Sequence, residues 1–132
     1  MWNTGLDHDQ RAVMADLFEI SFVEIVQNLA EKRKFKKGEF ARQAWPESTP
    51  QVARNRWNNM RTVDHRTGKP TSCTLSDAFR MAMALGFQIA YVTLQAEILA
   101  EQKFGQMTQA GGFRPQLSDA KPKRSRAASA EQ

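Results

Sequence analysis

Five amide and guanidinium side chains recur along one short segment of the chain. They are, in order, Gln51, Arg54, Asn55, Asn58 and Arg61. Their spacings of 3, 1, 3 and 3 residues place them on one side of an α-helix. Arg pairs in bidentate fashion with guanine, and Asn and Gln pair with adenine. We therefore interpret this side as a surface that contacts the edges of DNA bases. The alternative is a solvated polar face that happens to lack Glu.

The opposite side of the same segment is apolar. Ala53, Trp57 and Met60 recur at spacings of 4 and 3 residues, and we expect them to pack inward, with Val52 beside them. Away from the apolar side, the segment uses Asn three times, at Asn55, Asn58 and Asn59, and the outer side holds no acid, although Asn is a poor helix former. An ordinary exposed helix instead pairs Glu with Lys four residues apart. Residues that weaken a helix without filling the core indicate that the outer side has another use.

Positive charge is concentrated around this segment. The chain carries 19 Lys and Arg against 14 Asp and Glu, a net charge of +5. Residues 31–69 hold eleven of these cations and only four acids, whereas residues 1–30 are net acidic. An anionic partner is expected, and nucleic acid is the usual one. We interpret six flanking cations as phosphate contacts, which orient a protein on DNA without reading its sequence: Lys34, Lys36, Lys37, Arg42, Arg66 and Lys69.

The hydrophobic pattern predicts the helices that must position these side chains. Met14, Phe18, Phe22, Ile25 and Leu29 follow one helix face, as in a long amphipathic helix. Residues 45–49 contain Pro46 and Ser48-Thr49, which are typical of a turn. Gly86 follows Leu85, the last apolar residue of a later helical pattern. We predict helices at about residues 9–33, 37–44, 50–62 and 75–85, with the turn at 45–49 and a loop at 63–72.

The remainder of the chain follows two other patterns. Between residues 87 and 94, aromatic and β-branched residues alternate with others, which favours a short strand followed by a helix or frayed turn at about residues 95–103. A continuous helix is the alternative. From residue 105, Gly, Pro, Ala and Ser accompany a basic cluster, which is typical of a flexible, disordered tail. We thus predict a domain at residues 1–104 and a basic tail at residues 105–132.

Three stretches together resemble the phage repressor and Cro-type helix-turn-helix family: residues 38–44, residues 52–57 and residues 75–86. Ala41 corresponds to the small residue of the first motif helix, and Ala82-Met83-Ala84-Leu85-Gly86 corresponds to the Ala-x-x-Leu-Gly ending of the fourth helix. The resemblance covers about residues 20–94. It implies an all-α, repressor-like bundle of about five helices that reads the major groove with residues 50–62, usually as a two-fold dimer.

Two details modify this resemblance. A strand at residues 87–94 would be similar to the antitoxin branch of the family, in which such a strand joins two subunits. The family often has Gly in the motif turn, whereas this chain has Trp45-Pro46. The register of the recognition helix is therefore open by one residue.

The sequence as a whole predicts a cytoplasmic regulator of transcription, a repressor by resemblance, that binds double-stranded DNA sequence-specifically. The apolar residues 87–99 favour a homodimer. The alternative is a protein-interaction module, such as an antitoxin or a phage accessory factor, whose basic stripe binds a toxin or another acidic partner. RNA binding ranks lower because no aromatic sheet for stacking bases is predicted.

Catalysis, metal binding and membrane insertion are not expected. The chain has two His and one Cys, and it lacks the HExxH, GxSxG and phosphate-loop motifs. No cofactor is therefore expected. Cys73 alone forms no intramolecular disulfide, which fits a reducing compartment. The sequence contains no run of about eighteen apolar residues, so no membrane span is predicted. The N-terminus shows no signal-peptide pattern.

Overall fold

Five α-helices follow one another in the computed structural model, which describes residues 5–111 and their side chains as far as residue 109. They are α1 (His8–Arg33), α2 (Glu39–Ala44), α3 (Pro50–Arg61), α4 (Leu75–Leu85) and α5 (Ile89–Gly111). Within the described range, the one β-type contact is a bridge between Asp64 and Lys69. The prediction of an all-α fold of about five helices is confirmed.

Side-chain caps explain where three of the helices begin. The Gln10 backbone N–H donates to the Asp7 carboxylate at 2.8 Å, and the Asp7 N–H donates to the Gln10 side chain at 3.0 Å. This reciprocal capping box starts α1. Thr49 caps α3, with Pro50 in the first turn. Thr74 forms a second capping box at the start of α4.

Glycines at positive φ set two other boundaries. Gly86 has a φ of 82° and ends α4, as expected for a residue that tolerates the left-handed region. Gly38 has a φ of 77° and precedes α2. The predicted start of α2 near Lys37 is therefore two residues too early, because the helix cannot begin until the chain has left this conformation.

The predicted strand at residues 87–94 is wrong, because α5 begins at Ile89 and the rest of the segment is helical. Val92, Ala96 and Ala100 are fully buried at a spacing of four residues. The large side chains between them point outward, so α5 is apolar on two sides and its sequence imitates the alternation of a strand. The helix also continues to Gly111, past the predicted start of the tail. Residues 112–132 of that predicted tail lie outside the described residues.

The core lies between α1 and a layer formed by α2, α3 and α4. Phe22 and Val26 of α1 meet Phe40, Trp57 and Met81 in one buried cluster. The Phe40 and Trp57 rings lie edge to face with centroids 5.0 Å apart. A smaller cluster joins the N-terminal half of α1 to α5. α1 thus packs against the short helices with one half and against α5 along much of its length.

One buried carboxylate joins three elements of the helical layer. Asp77 of α4 is 3% exposed. It accepts N–H groups from Arg56 of α3 (Nε, 2.8 Å, and Nη2), from the Trp45 indole after α2 (3.2 Å) and from the Thr74 backbone (3.1 Å). Burial raises the pKa of Asp77, but these hydrogen bonds from Arg56, Thr74 and Trp45 outweigh it and leave that pKa below its ordinary value.

Arg80 follows Asp77 on α4 and contacts the connection between α2 and α3 at residues other than Trp45. Its guanidinium donates to the Ala44 carbonyl at 3.2 Å and pairs with Glu47 at 2.6 Å. Two residues of α4 therefore contact both ends of the turn. The turn needs no glycine at the position of Trp45-Pro46, because α4 supplies the hydrogen bonds that fix its shape.

Asp77→Asn should lower the free energy of unfolding by about 3 kcal/mol, because it removes the charge of the buried partner of an ion pair. This is the low end of the usual range, since the other partner, Arg56, has a side chain that is 38% exposed and still reaches water. The loss should be largest above pH 5. Because the folded-state pKa is lowered, the stabilisation should begin to fall as the pH passes below the unfolded pKa of about 4 and should be lost once the pH is below the folded-state pKa.

Urea unfolding at a series of pH values measures this difference. Glu24→Gln is the matched control, because it breaks the exposed pair of Glu24 with Lys103 (2.8 Å) and should cost less than about 1 kcal/mol. A difference between wild type and Asp77→Asn that stays constant down to pH 2 would contradict the assignment.

Candidate nucleic-acid interface

α3 buries the side that the sequence predicts, with one exception. Ala53, Trp57 and Met60 are buried. Val52 is 54% exposed, so the prediction that it packs inward is wrong. Val52 shares its side of α3 with Arg56, four residues later, and that side meets α4 through the guanidinium and Asp77 rather than through apolar groups.

A cleft of about 420 Å³ separates α3 from the C-terminal end of α1. Its floor is aromatic and includes Phe35, Phe40 and Trp57. Five cations and a single acid, Glu31, are among its lining residues. The cleft brings three predicted base-contacting residues together with three predicted phosphate-contacting ones: Arg54, Asn58, Arg61, Lys34, Lys36 and Lys37. Residues far apart in sequence therefore form one basic surface.

The lysines of this cleft lie on a short connection with a fixed conformation. Lys34 ends α1 with a φ of 56°, in the left-handed region. Phe35 then anchors the connection, with its ring centroid 5.6 Å from that of Phe40. The Lys36 backbone N–H donates to the Glu39 carboxylate at 2.9 Å. The backbone is thus held from both sides, while the three lysine side chains are exposed.

Gln51 and Asn55 lie on the outer surface of α3, beyond the cleft, and both are exposed. The Gln51 amide donates to Asn55 at 3.0 Å, and Arg54 donates to Gln51 at 3.2 Å. Arg61 likewise donates to Asn58. These contacts join solvent-exposed side chains, so exchanging them for hydrogen bonds to another partner costs little.

Arg61 differs from the other predicted base-contacting residues. Its guanidinium carbon lies 4.8 Å from the centroid of the Trp57 ring, in a cation–π contact. Partial burial lowers the pKa of Arg61, and the charge of Glu31 opposes that effect. Arg61 is the last residue of α3, and its guanidinium lies against Trp57, which lines the cleft.

The remaining predicted phosphate contacts lie outside the cleft. Arg42 is exposed on α2 and lies close to Gly38. Arg66 and Lys69 are exposed in the loop closed by the bridge between Asp64 and Lys69. Arg66 is paired with Asp64 at 3.4 Å, which neutralises part of its charge. The structure thus brings three of the six predicted phosphate contacts next to α3 and leaves the other three outside the cleft.

The sequence interpretation missed the residues that orient α3. Arg56, Asp77 and Trp45 were not among the predicted site residues, yet they fix the position of the helix. One signal was present: Thr74 and Asp77 have the spacing of a capping box. The pairing of Asp77 with Arg56, 21 residues earlier, has no local pattern.

The described part of the chain also bears on metal, thiol and membrane sites. Among residues 5–111, no group of three or more His, Cys, Asp or Glu is arranged to hold a metal ion. Burial raises the pKa of the Cys73 thiol to about 12, assisted by the charges of Asp77 and Glu19. In the same range, no single helix is long and apolar enough to cross a membrane; α4 and α5 meet that criterion only together, across a bend of 109°.

Comparison with known proteins gives no match for this chain. No protein-family model, no curated protein and no solved structure matches it.

Cys73 should react slowly with iodoacetamide at pH 8. Because burial raises the pKa of its thiol to about 12, its thiolate fraction should be about a thousandfold smaller than that of an unfolded cysteine. Mass spectrometry of the protein with and without 6 M guanidinium compares the two rates on the same residue. Equal rates would show that Cys73 is accessible in the folded state.

Proposed function

We propose that this protein binds double-stranded DNA sequence-specifically and regulates transcription, with α2, the turn and α3 acting as a helix-turn-helix. The observation that carries the proposal is the cleft beside α3. It places guanidinium and amide groups suited to base edges next to lysines suited to phosphates. Such a protein acts by binding and needs no catalytic group. The proposal also implies a cytoplasmic location, which suits a free thiol.

The dimensions of α3 fit the major groove. An α-helix with its side chains is about 10–12 Å across, which matches the major groove, about 12 Å wide. The twelve residues of α3 extend about 18 Å along it. The outer side carries amides rather than carboxylates, so phosphates on either side do not repel it. In helix-turn-helix proteins the N-terminal residues of the recognition helix contact the bases. We therefore assign base contacts to Gln51, Arg54, Asn55 and Asn58.

Arg61 receives a different role in this proposal. It lies at the C-terminal end of α3, stacked on Trp57 and facing the lysines of the cleft. A guanidinium in this position is suited to a phosphate of the backbone. Together with Lys34, Lys36 and Lys37 it would bind the strand that borders the groove, while the first turns of α3 contact the bases.

Arg54→Ala should weaken binding to a selected duplex by about 1–3 kcal/mol and relax its sequence preference, because a bidentate base contact is removed.

Lys37→Gln should weaken binding to selected and random 30-base-pair duplexes equally, and should lower the salt dependence by about one phosphate contact. Fluorescence anisotropy at two or more salt concentrations measures both effects.

Arg11→Ala is the control for the loss of one positive charge, because Arg11 lies at the far end of α1 and donates to the Leu6 carbonyl. It should leave both affinities nearly unchanged. If the wild-type protein binds neither duplex at low salt, the proposal fails. The basic cleft would then serve an acidic protein partner such as a toxin.

We also propose that the protein binds DNA as a homodimer through the outer side of α5. Tyr91, Leu94 and Ile98 follow one helix face and are 44–54% exposed. The opposite side of α5 is already buried against α1, and a helix that is apolar on both sides is normally covered. Residues 81–96 contain no charged residue. The part of this face around Tyr91 and Leu94 therefore carries no charge that would oppose a second copy, and the acids Glu97 and Glu101 lie only beside Ile98.

Sedimentation should give a mass of twice 15.0 kDa for the wild type at tens of micromolar, and 15.0 kDa for Leu94→Glu, because a charge on this face opposes association. Val63→Glu is the control, since Val63 is an equally exposed apolar residue on the loop, and it should remain dimeric. A monomeric wild type at this concentration would contradict the dimer.

A further inference from the structure

The exposed side chain of Val52 has no role in the fold of α3. It lies in the first turn of the helix and is 54% exposed. Its backbone is fixed, because the Val52 N–H donates to the Thr49 hydroxyl at 3.2 Å. The side chain is thus held at a defined place on the surface without contributing to the core.

Helix stability does not explain a valine at this position. A β-branched residue loses side-chain freedom in a helix, and Val is a poorer helix former than Ala, Leu, Lys or Glu. An exposed apolar side chain also gains nothing in water. Among the solvent-facing residues of α3, it is the single large apolar one. Its place among the exposed amides of α3 leaves it available for contact with an apolar group of a partner.

The neighbours of Val52 lie on the surface that is proposed to enter the groove. Gln51 precedes it, and Asn55 lies three residues later, on the adjoining side of the same helix turn. Both are exposed amides. In the major groove of DNA, the apolar group that a side chain meets is the C5-methyl group of thymine. The two γ-methyl groups of valine suit that contact.

We infer that Val52 contacts a thymine methyl group and makes the protein prefer thymine at one position of its site. The inference rests on the proposed function and adds an apolar element to it. The amides and Arg54 select bases by hydrogen bonding, whereas Val52 selects by excluding water from a methyl group. Cytosine lacks this methyl group and presents a polar amino group at the neighbouring ring position.

Deoxyuridine tests the contact, because it removes the methyl group and leaves the hydrogen-bonding edge of thymine intact. The selected duplex is prepared with each thymine replaced in turn. At one position, the wild-type affinity should fall about fourfold, the effect of exposing one methyl group. Val52→Ala should bind the thymine duplex about fourfold more weakly than wild type, and should not distinguish thymine from deoxyuridine at that position.

Val63→Ala is the matched control. Val63 is 57% exposed on the loop after α3 and should keep the full preference for thymine. Thermal unfolding should show that Val52→Ala is as stable as wild type or slightly more so, because Ala favours a helix.

The outcomes separate the two proposals. If the wild-type protein selects a sequence but Val52→Ala responds to every deoxyuridine as wild type does, the inference is overturned and the proposed function stands. If the wild-type protein binds no duplex, the proposed function fails and the inference fails with it.

Discussion

The buried carboxylate of Asp77 is the constraint on which the placement of α3 depends. A charge withdrawn from water must be matched by hydrogen-bond donors, and Asp77 obtains them from Arg56, Trp45 and Thr74. These donors lie on three different elements. Satisfying them all requires one relative arrangement of α3, the preceding turn and α4. The amides of α3 face solvent because its other side is committed to this carboxylate and to the aromatic core.

The turn between α2 and α3 shows the same principle at short range. A glycine in a left-handed conformation is one way to reverse direction between two helices. Here Trp45 occupies the turn, its ring is buried and its indole N–H reaches Asp77. Arg80 contacts Ala44 and Glu47 across the same turn. The geometry that glycine would allow locally is here imposed by a neighbouring helix, and the price is a dependence of the motif on α4.

Local patterns predicted α1, α3 and α4, because each combines a one-sided apolar stripe with a recognisable cap such as Asp7, Thr49 or Thr74. α5 escaped prediction because its two apolar sides hide the helical period. Val52 was misplaced because its side of α3 packs against α4 through the ion pair of Arg56 with Asp77, 21 positions later, rather than through apolar contact. The individual basic and amide residues of the cleft were predicted, but their arrangement in one cleft was not. That arrangement depends on the tertiary packing of α1 against α3, which no local pattern records.

Arg33 has a consequence for the geometry of any two-fold assembly. Its guanidinium donates to the Leu85 carbonyl and lies over the Phe35 ring, 5.1 Å from the centroid. It therefore ties the lysine-bearing connection after α1 to the corner between α4 and α5. In the dimer proposed on α5, this tie and the Arg56–Asp77 ion pair would together hold each copy of α3 at a set distance from the dimer contact. If the protein binds DNA as this dimer, half-sites moved apart by one base pair would be out of phase with the two copies of α3.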